Sequence, residues 1–200
     1  MNTLSSLELE NLSNLLLYLK VNELRELCEL VGVPSQAKKI VLVENILLYM
    51  QTGKVPEIKK IPLISKAQPR ASYPLARQTL MMYGSFKNDL KTRLFLKSLI
   101  GNHFHYTAFG LDWIEKRWLQ GKPPTYAEFA HYWQSEYEAR QLNKGALKPE
   151  WAYLNFLDNY KKVHPAATKN EAIAAWGRLR SQNVAKVKEI LKNLCLKIII

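Results

Sequence analysis

Lys38 and Lys39 stand side by side, three residues after Ser35 and just ahead of an apolar-periodic run. A hydroxyl and two ammonium groups in that position suit phosphate oxygens, because the first backbone N–H groups of a helix are unpaired and point outward. Lys54, Lys59, Lys60, Lys66 and Arg70 follow in residues 53–72, a stretch with three prolines and no helical period. Cations on an extended segment can track a phosphate backbone. Catalytic chemistry is poorly represented. His103-x-His105 is half a metal site, since both rings of an extended segment share one face, but no supporting ligand spacing accompanies it. Glu136 and Glu138 fall on different faces of a helix. The chain lacks a Gly-rich phosphate loop, HExxH, GxSxG and any spaced cysteine pair. No catalytic residue, metal ligand or cofactor is therefore expected, and the chain does not read as an enzyme.

The elements that must position these residues come from an ordinary globular composition, 48% hydrophobic and 23% charged over 200 residues. The net charge of +12 invites an anionic partner and is unevenly spread. Residues 1–52 carry −2, residues 53–100 carry +8, residues 101–176 carry +1 and residues 177–200 carry +5. The only two cysteines, Cys28 and Cys195, lie far apart, so a reducing interior fits best. Glu8 and Glu10 precede the first basic residue, Lys20, which argues against a signal peptide. The longest early apolar run, Leu15–Leu19, is far shorter than the ~18 residues of a membrane span.

Leu24, Leu27, Leu30 and Val31 recur at helical spacing between Asn22, a cap candidate, and Gly32, a stop. After the loop Val33-Pro34-Ser35, a second helix runs to about Gln51, with Ile40, Val43, Leu47 and Met50 on one stripe, and Thr52-Gly53 ends it. Leu12–Leu19 supply the further apolar surface that so small a unit needs. The stretch Leu19-Lys20-Val21-Asn22-Glu23-Leu24, Gly32-Val33-Pro34 and Lys38-Lys39-Ile40-Val41-Leu42-Val43-Glu44-Asn45-Ile46 resembles the SAP domain family over roughly residues 9–52. The resemblance implies a helix–loop–helix module that binds DNA. Ala37 and Asn45 depart from the Gly and Arg usual in that family.

In the remainder, Lys87–Leu99 reads as a helix ended by Ile100-Gly101. Residues 111–133 slide without a gap onto 154–176, matching Leu111 with Leu154, Thr125 with Thr168, Glu128 with Glu171 and Trp133 with Trp176. Each Thr/Glu pair has capping-box spacing and opens a helix with Trp five residues after the Glu. This predicts two related hairpins, ~107–119 with ~126–139 and ~149–162 with ~169–180. Residues 73–180 also resemble an uncharacterised domain often found after SAP modules, through Arg93–Gly101, Phe104, Tyr106, Trp113, Thr125, Trp133, Pro149–Tyr153 and Ala172–Trp176. Trp118 and Tyr126, near Lys116, Arg117 and Lys122, are candidates for exposed stacking platforms. Val184, Val187, Ile190, Leu191, Leu194 and Ile198 share an arc of a basic amphipathic helix, expected to dock on the second module.

The expected architecture is mainly α. A SAP-like module (1–52), a basic linker (53–72), a helical domain of two related hairpins (73–182) and an amphipathic C-terminal helix (183–200) follow in order. The expected partner is nucleic acid, duplex DNA with little sequence preference. Ser35, Lys38 and Lys39 would hold phosphates, reinforced by Lys59, Lys60, Lys66 and Arg70. The rival expectation is a protein-interaction module, favoured by the acidic first module.

Overall fold

The protein is seen in a computed structural model that describes residues 4–142 and 147–198, with side chains described as far as residue 192. The described residues form eight α-helices and no strand, a mainly α architecture as expected. They are α1 (Ser6–Leu16), α2 (Val21–Val31), α3 (Lys39–Thr52), α4 (Leu90–Ile100), α5 (Ala108–Leu119), α6 (Tyr126–Leu142), α7 (Ala152–Val163) and α8 (Lys169–Ile198). The chain divides into two compact units. The first is Met1–Ile58 with Ala146–Ile200, and the second is Lys59–Gly145.

In the first unit the apolar positions of α1–α3 converge on one core. Leu12, Leu16, Leu24, Leu42 and Ile46 are fully buried there, each contributing about 1.5–3 kcal/mol of burial. Helix α2 starts at Val21 rather than after Asn22, because the Glu23 carboxylate accepts from the Lys20 N–H at 2.6 Å and caps the turn two residues earlier. Gly32 and Gly53 end α2 and α3 with φ of 75° and 66°, a left-handed geometry that favours glycine. Cys28 is buried in this core, and burial together with Glu29 pushes its thiol up to about 11.

The C-terminal segment completes that core. The helices expected at ~169–180 and 183–197 are one continuous helix, α8, because no Gly or Pro interrupts it after Gly177. Val187 is buried among the α1–α3 residues, and Val184, Ile190 and Leu191 pack beside it. The helix therefore docks on the N-terminal module, not on the second module; Leu194 and Ile198 lie outside the described side chains. Arg180 ion-pairs with Glu23, and Trp176 stacks on Tyr18 at 5.3 Å. Burial raises the Glu23 carboxyl, but the hydrogen bond from Arg180, the Lys20 N–H and both positive charges outweigh it and hold the group below its usual range.

The second unit is built around rings. Phe104, Phe129 and Trp133 are buried with Met81, Leu96, Ile114 and Tyr126. Phe104 meets Trp133 edge-on at 5.1 Å and Phe129 at 6.3 Å, geometries suited to aromatic quadrupoles. Both expected capping boxes form. Thr125 N–H donates to Glu128 at 2.7 Å and Glu128 N–H donates back to Thr125 Oγ1 at 3.1 Å, with the same reciprocal pair at Thr168 and Glu171. The hairpins they open fall in different units, α5–α6 in the second and α7–α8 in the first. Residues 73–182, expected as one helical domain, are shared between the two compact units, which divide at about Ile58 and Ala146.

The stretch read as a linker is equally divided. From Lys59 onward it belongs to the second unit. Ser65 is fully buried and its Oγ donates to the Trp118 carbonyl at 2.8 Å. Ala67 N–H donates to Tyr83 O at 2.8 Å, and Tyr83 N–H donates to Ser65 O at 2.9 Å. These bonds satisfy backbone groups that the prolines leave without a regular ladder.

Candidate nucleic-acid interface

Of the residues expected to hold phosphates, Ser35, Lys38 and Lys39 belong to the first unit and Lys59, Lys60, Lys66 and Arg70 to the second. Ser35 Oγ donates to Glu29 Oε1 at 3.2 Å, so a carboxylate already stands beside it. Lys39 Nζ donates to the Leu17 carbonyl at 2.6 Å, tying the start of α3 to the end of α1. Burial and the nearby Arg180 lower its pKa, against the opposing effect of Glu150 and Glu23. Lys38 is exposed at the N-cap of α3. Asn45, one of the departures from the SAP pattern, donates to Pro34 O at 3.1 Å and pins the loop that carries Ser35. Glu8, Glu10, Glu26 and Glu29 are all exposed on α1 and α2, and their field opposes a polyanion.

Lys59, Lys60, Lys66 and Arg70 are exposed on the second unit. Within residues 59–100, nine basic residues face one acidic residue, Asp89. Asp89 is the N-cap of α4, accepting from Thr92 N–H at 2.8 Å. The nine are Lys59, Lys60, Lys66, Arg70, Arg77, Lys87, Lys91, Arg93 and Lys97, all exposed except the half-buried Lys97. Among the described residues none of the nine forms an ion pair.

Helix α4 orders part of this set. Thr92 and Leu96 are buried, with Phe95, Leu99 and Ile100 packed beside them. The helical period then places Lys91, Arg93, Leu94, Lys97 and Ser98 on the opposite arc with Leu90. Arg93 also lies 5.7 Å from the Tyr106 ring centroid. Lys91, Arg93 and Lys97 are absent from the residues expected to bind. Their signal was available in the sequence: a helix without a carboxylate, whose apolar positions 92, 95, 96 and 99 leave the cations on one side.

The aromatic candidates are corrected. Tyr126 is buried in the ring core, and Trp118 Nε1 donates to Met81 O at 2.6 Å while its ring meets Tyr83 at 5.4 Å. Both fill the second unit instead of offering a free stacking face, because each ring sits on the inner side of its helix. His103 and His105 both lean on Trp133, at 5.6 and 5.8 Å between ring centroids.

Comparison with protein-family models, curated proteins and solved structures found no match. In the first unit an open groove of about 460 Å³ is lined by Asn14, Tyr18, Asn155, Phe156 and Tyr160 among others, with neither a carboxylate nor a lysine in its lining. No described helix is long and apolar enough to cross a membrane.

Proposed function

We propose that the protein binds nucleic acid, duplex DNA above all, through the phosphates and without strong sequence preference. The observation that carries this reading is the surface of residues 59–100, where nine cations, eight of them exposed, meet one carboxylate already used as a helix cap. Exposed cations that no carboxylate holds in an ion pair can displace condensed counterions from a polyanion. The interface is thus centred on the second unit, with α4 and the 59–70 segment as its two parts. The SAP-like module contributes less, since Ser35 and Lys39 are engaged within their own unit.

Fluorescence anisotropy with a labelled random-sequence duplex tests this. The full chain should bind at ~50 mM salt, and Lys91→Glu/Arg93→Glu/Lys97→Glu should weaken binding by a factor of about ten or more. Lack of binding by the native chain, or a triple variant that binds equally well, would refute the assignment.

A second reading is a protein-interaction role for the first unit. Leu7 stands in solvent near Glu8 and Glu10 on α1, and Leu30 near Glu26 and Glu29 on α2, exposed apolar residues among carboxylates that suit a basic protein segment.

A further inference from the structure

Leu63 and Ile64 stand in solvent, 78% and 68% exposed, in the middle of the basic segment. They ride on a single 3-10 turn, Leu63–Ser65. The base of the turn is fixed. Ser65 N–H donates to Pro62 O and Lys66 N–H to Leu63 O, both at 3.0 Å. Ser65 is fully buried and bonded to the Trp118 carbonyl, and its own carbonyl accepts from Tyr83. Ile64 lies against Gly121, its Cγ2 only 3.2 Å from where a Cβ would stand. Lys59 and Lys60 precede the turn, and Lys66 and Arg70 follow it, all exposed. Two large aliphatic side chains are thus raised on an anchored turn between two pairs of cations.

Resting on the nucleic-acid reading above, we propose that Leu63 and Ile64 form a wedge that enters the minor groove of duplex DNA and partly unstacks one base step, bending the duplex. Lys59, Lys60, Lys66 and Arg70 then lie on the flanking phosphates. The minor groove is about 6 Å wide and admits a pair of side chains on a turn rather than a whole helix. Its two rims are phosphate and its floor, once a step opens, is the apolar face of a base. That sequence of charge, apolar and charge is what the turn presents. An anionic lipid surface is a poorer fit. Two aliphatic side chains bury less hydrocarbon than one myristoyl chain, which alone gives only marginal membrane binding. A wedge also needs a rigid support, because unstacking must not be relieved by yielding of the turn. The buried Ser65 and its bonds to Trp118 and Tyr83 provide that support.

The test uses the full chain and a duplex of ~30 bp with a donor and an acceptor dye at its ends. Binding of the native chain should shorten the end-to-end distance. Leu63→Ala/Ile64→Ala removes mostly exposed atoms and only the Ile64 contact at Gly121, so its circular dichroism should match the native chain and its melting should change little. It should keep binding to within about threefold at ~50 mM salt and leave the duplex straight. Lys59→Ala/Lys60→Ala/Lys66→Ala/Arg70→Ala should instead lose affinity about tenfold or more. A central TA step, easily kinked, should favour the native chain over the Leu63/Ile64 variant. Native binding without bending, or equal bending by the alanine pair, overturns the wedge while leaving the nucleic-acid reading standing. Lack of duplex binding overturns both. Vesicles of phosphatidylcholine and phosphatidylglycerol form the last arm. Vesicle binding that depends on Leu63 and Ile64, with duplex binding unchanged, assigns the turn to a lipid surface and overturns the wedge.

Discussion

At the scale of single residues, one pair of neighbours shows how position decides chemistry. Lys38 and Lys39 differ by one step along the chain, but Lys38 is the extended N-cap of α3 while Lys39 is its first helical residue, and the second ammonium reaches inward to the Leu17 carbonyl. A charge-assisted bond of that kind holds α3 against the end of α1 and lowers the amine's own basicity through burial. Lys39→Met keeps the aliphatic stem and removes the bond, leaving the Leu17 carbonyl without its donor. Stability should fall by about 1–2 kcal/mol in a denaturant melt. Duplex affinity should change by less than about twofold, the scale of one lost surface charge. A variant of native stability that binds duplex about tenfold more weakly would instead place Lys39 on a phosphate.

At the scale of elements, α8 is the strut of the first unit. It is described as 30 residues long, and its early turns carry Trp176 against Tyr18 while Val187 reaches the leucine core of α1–α3. Trp176, Arg180, Val184, Val187 and Leu191 recur at three- and four-residue spacing, so one stripe of the helix holds it to the first unit while the rest is polar. Val187→Ala should therefore cost about 1–3 kcal/mol, as a cavity in a core that cannot fully close. Removing residues 184–200 should lower the melting temperature clearly and leave the mass in solution unchanged. Thermal melts and light scattering decide it: an unaltered melt would mean that the N-terminal module stands without α8.

For the whole molecule, charge is divided between units. Fourteen basic residues face six acidic ones in the Lys59–Gly145 unit, and fifteen face eleven in the other. Affinity carried by the first of these surfaces must be dominated by counterion release. The logarithm of the binding constant should fall linearly with the logarithm of salt concentration, with a slope of about −0.9 per phosphate neutralised. Replacing Lys91, Arg93 and Lys97 should reduce the magnitude of that slope by about three such increments. A slope near zero in a titration series would place the binding on base or apolar contacts.

Local signals determined the parts of this protein that depend on near neighbours. Gly32 and Gly53 marked helix ends because their left-handed geometry is a property of one residue. Thr125 with Glu128 and Thr168 with Glu171 marked helix starts because a capping box closes within four residues. The helical class and the extents of α3, α5, α6 and α7 followed from period and caps. What sequence could not reveal was assembly across distance. Nothing local tells Val187 that its socket lies among Leu12, Leu16 and Leu42, or Ser65 that its acceptor is the Trp118 carbonyl. Apolar burial is not directional, so an amphipathic face specifies that it needs a partner and not which one. The same ambiguity governed the candidate interface. A lysine reads alike in sequence whether its ammonium ends in solvent, as in Lys91, or on a backbone carbonyl, as in Lys39. Only the packed helices decided which cations remained available to a partner.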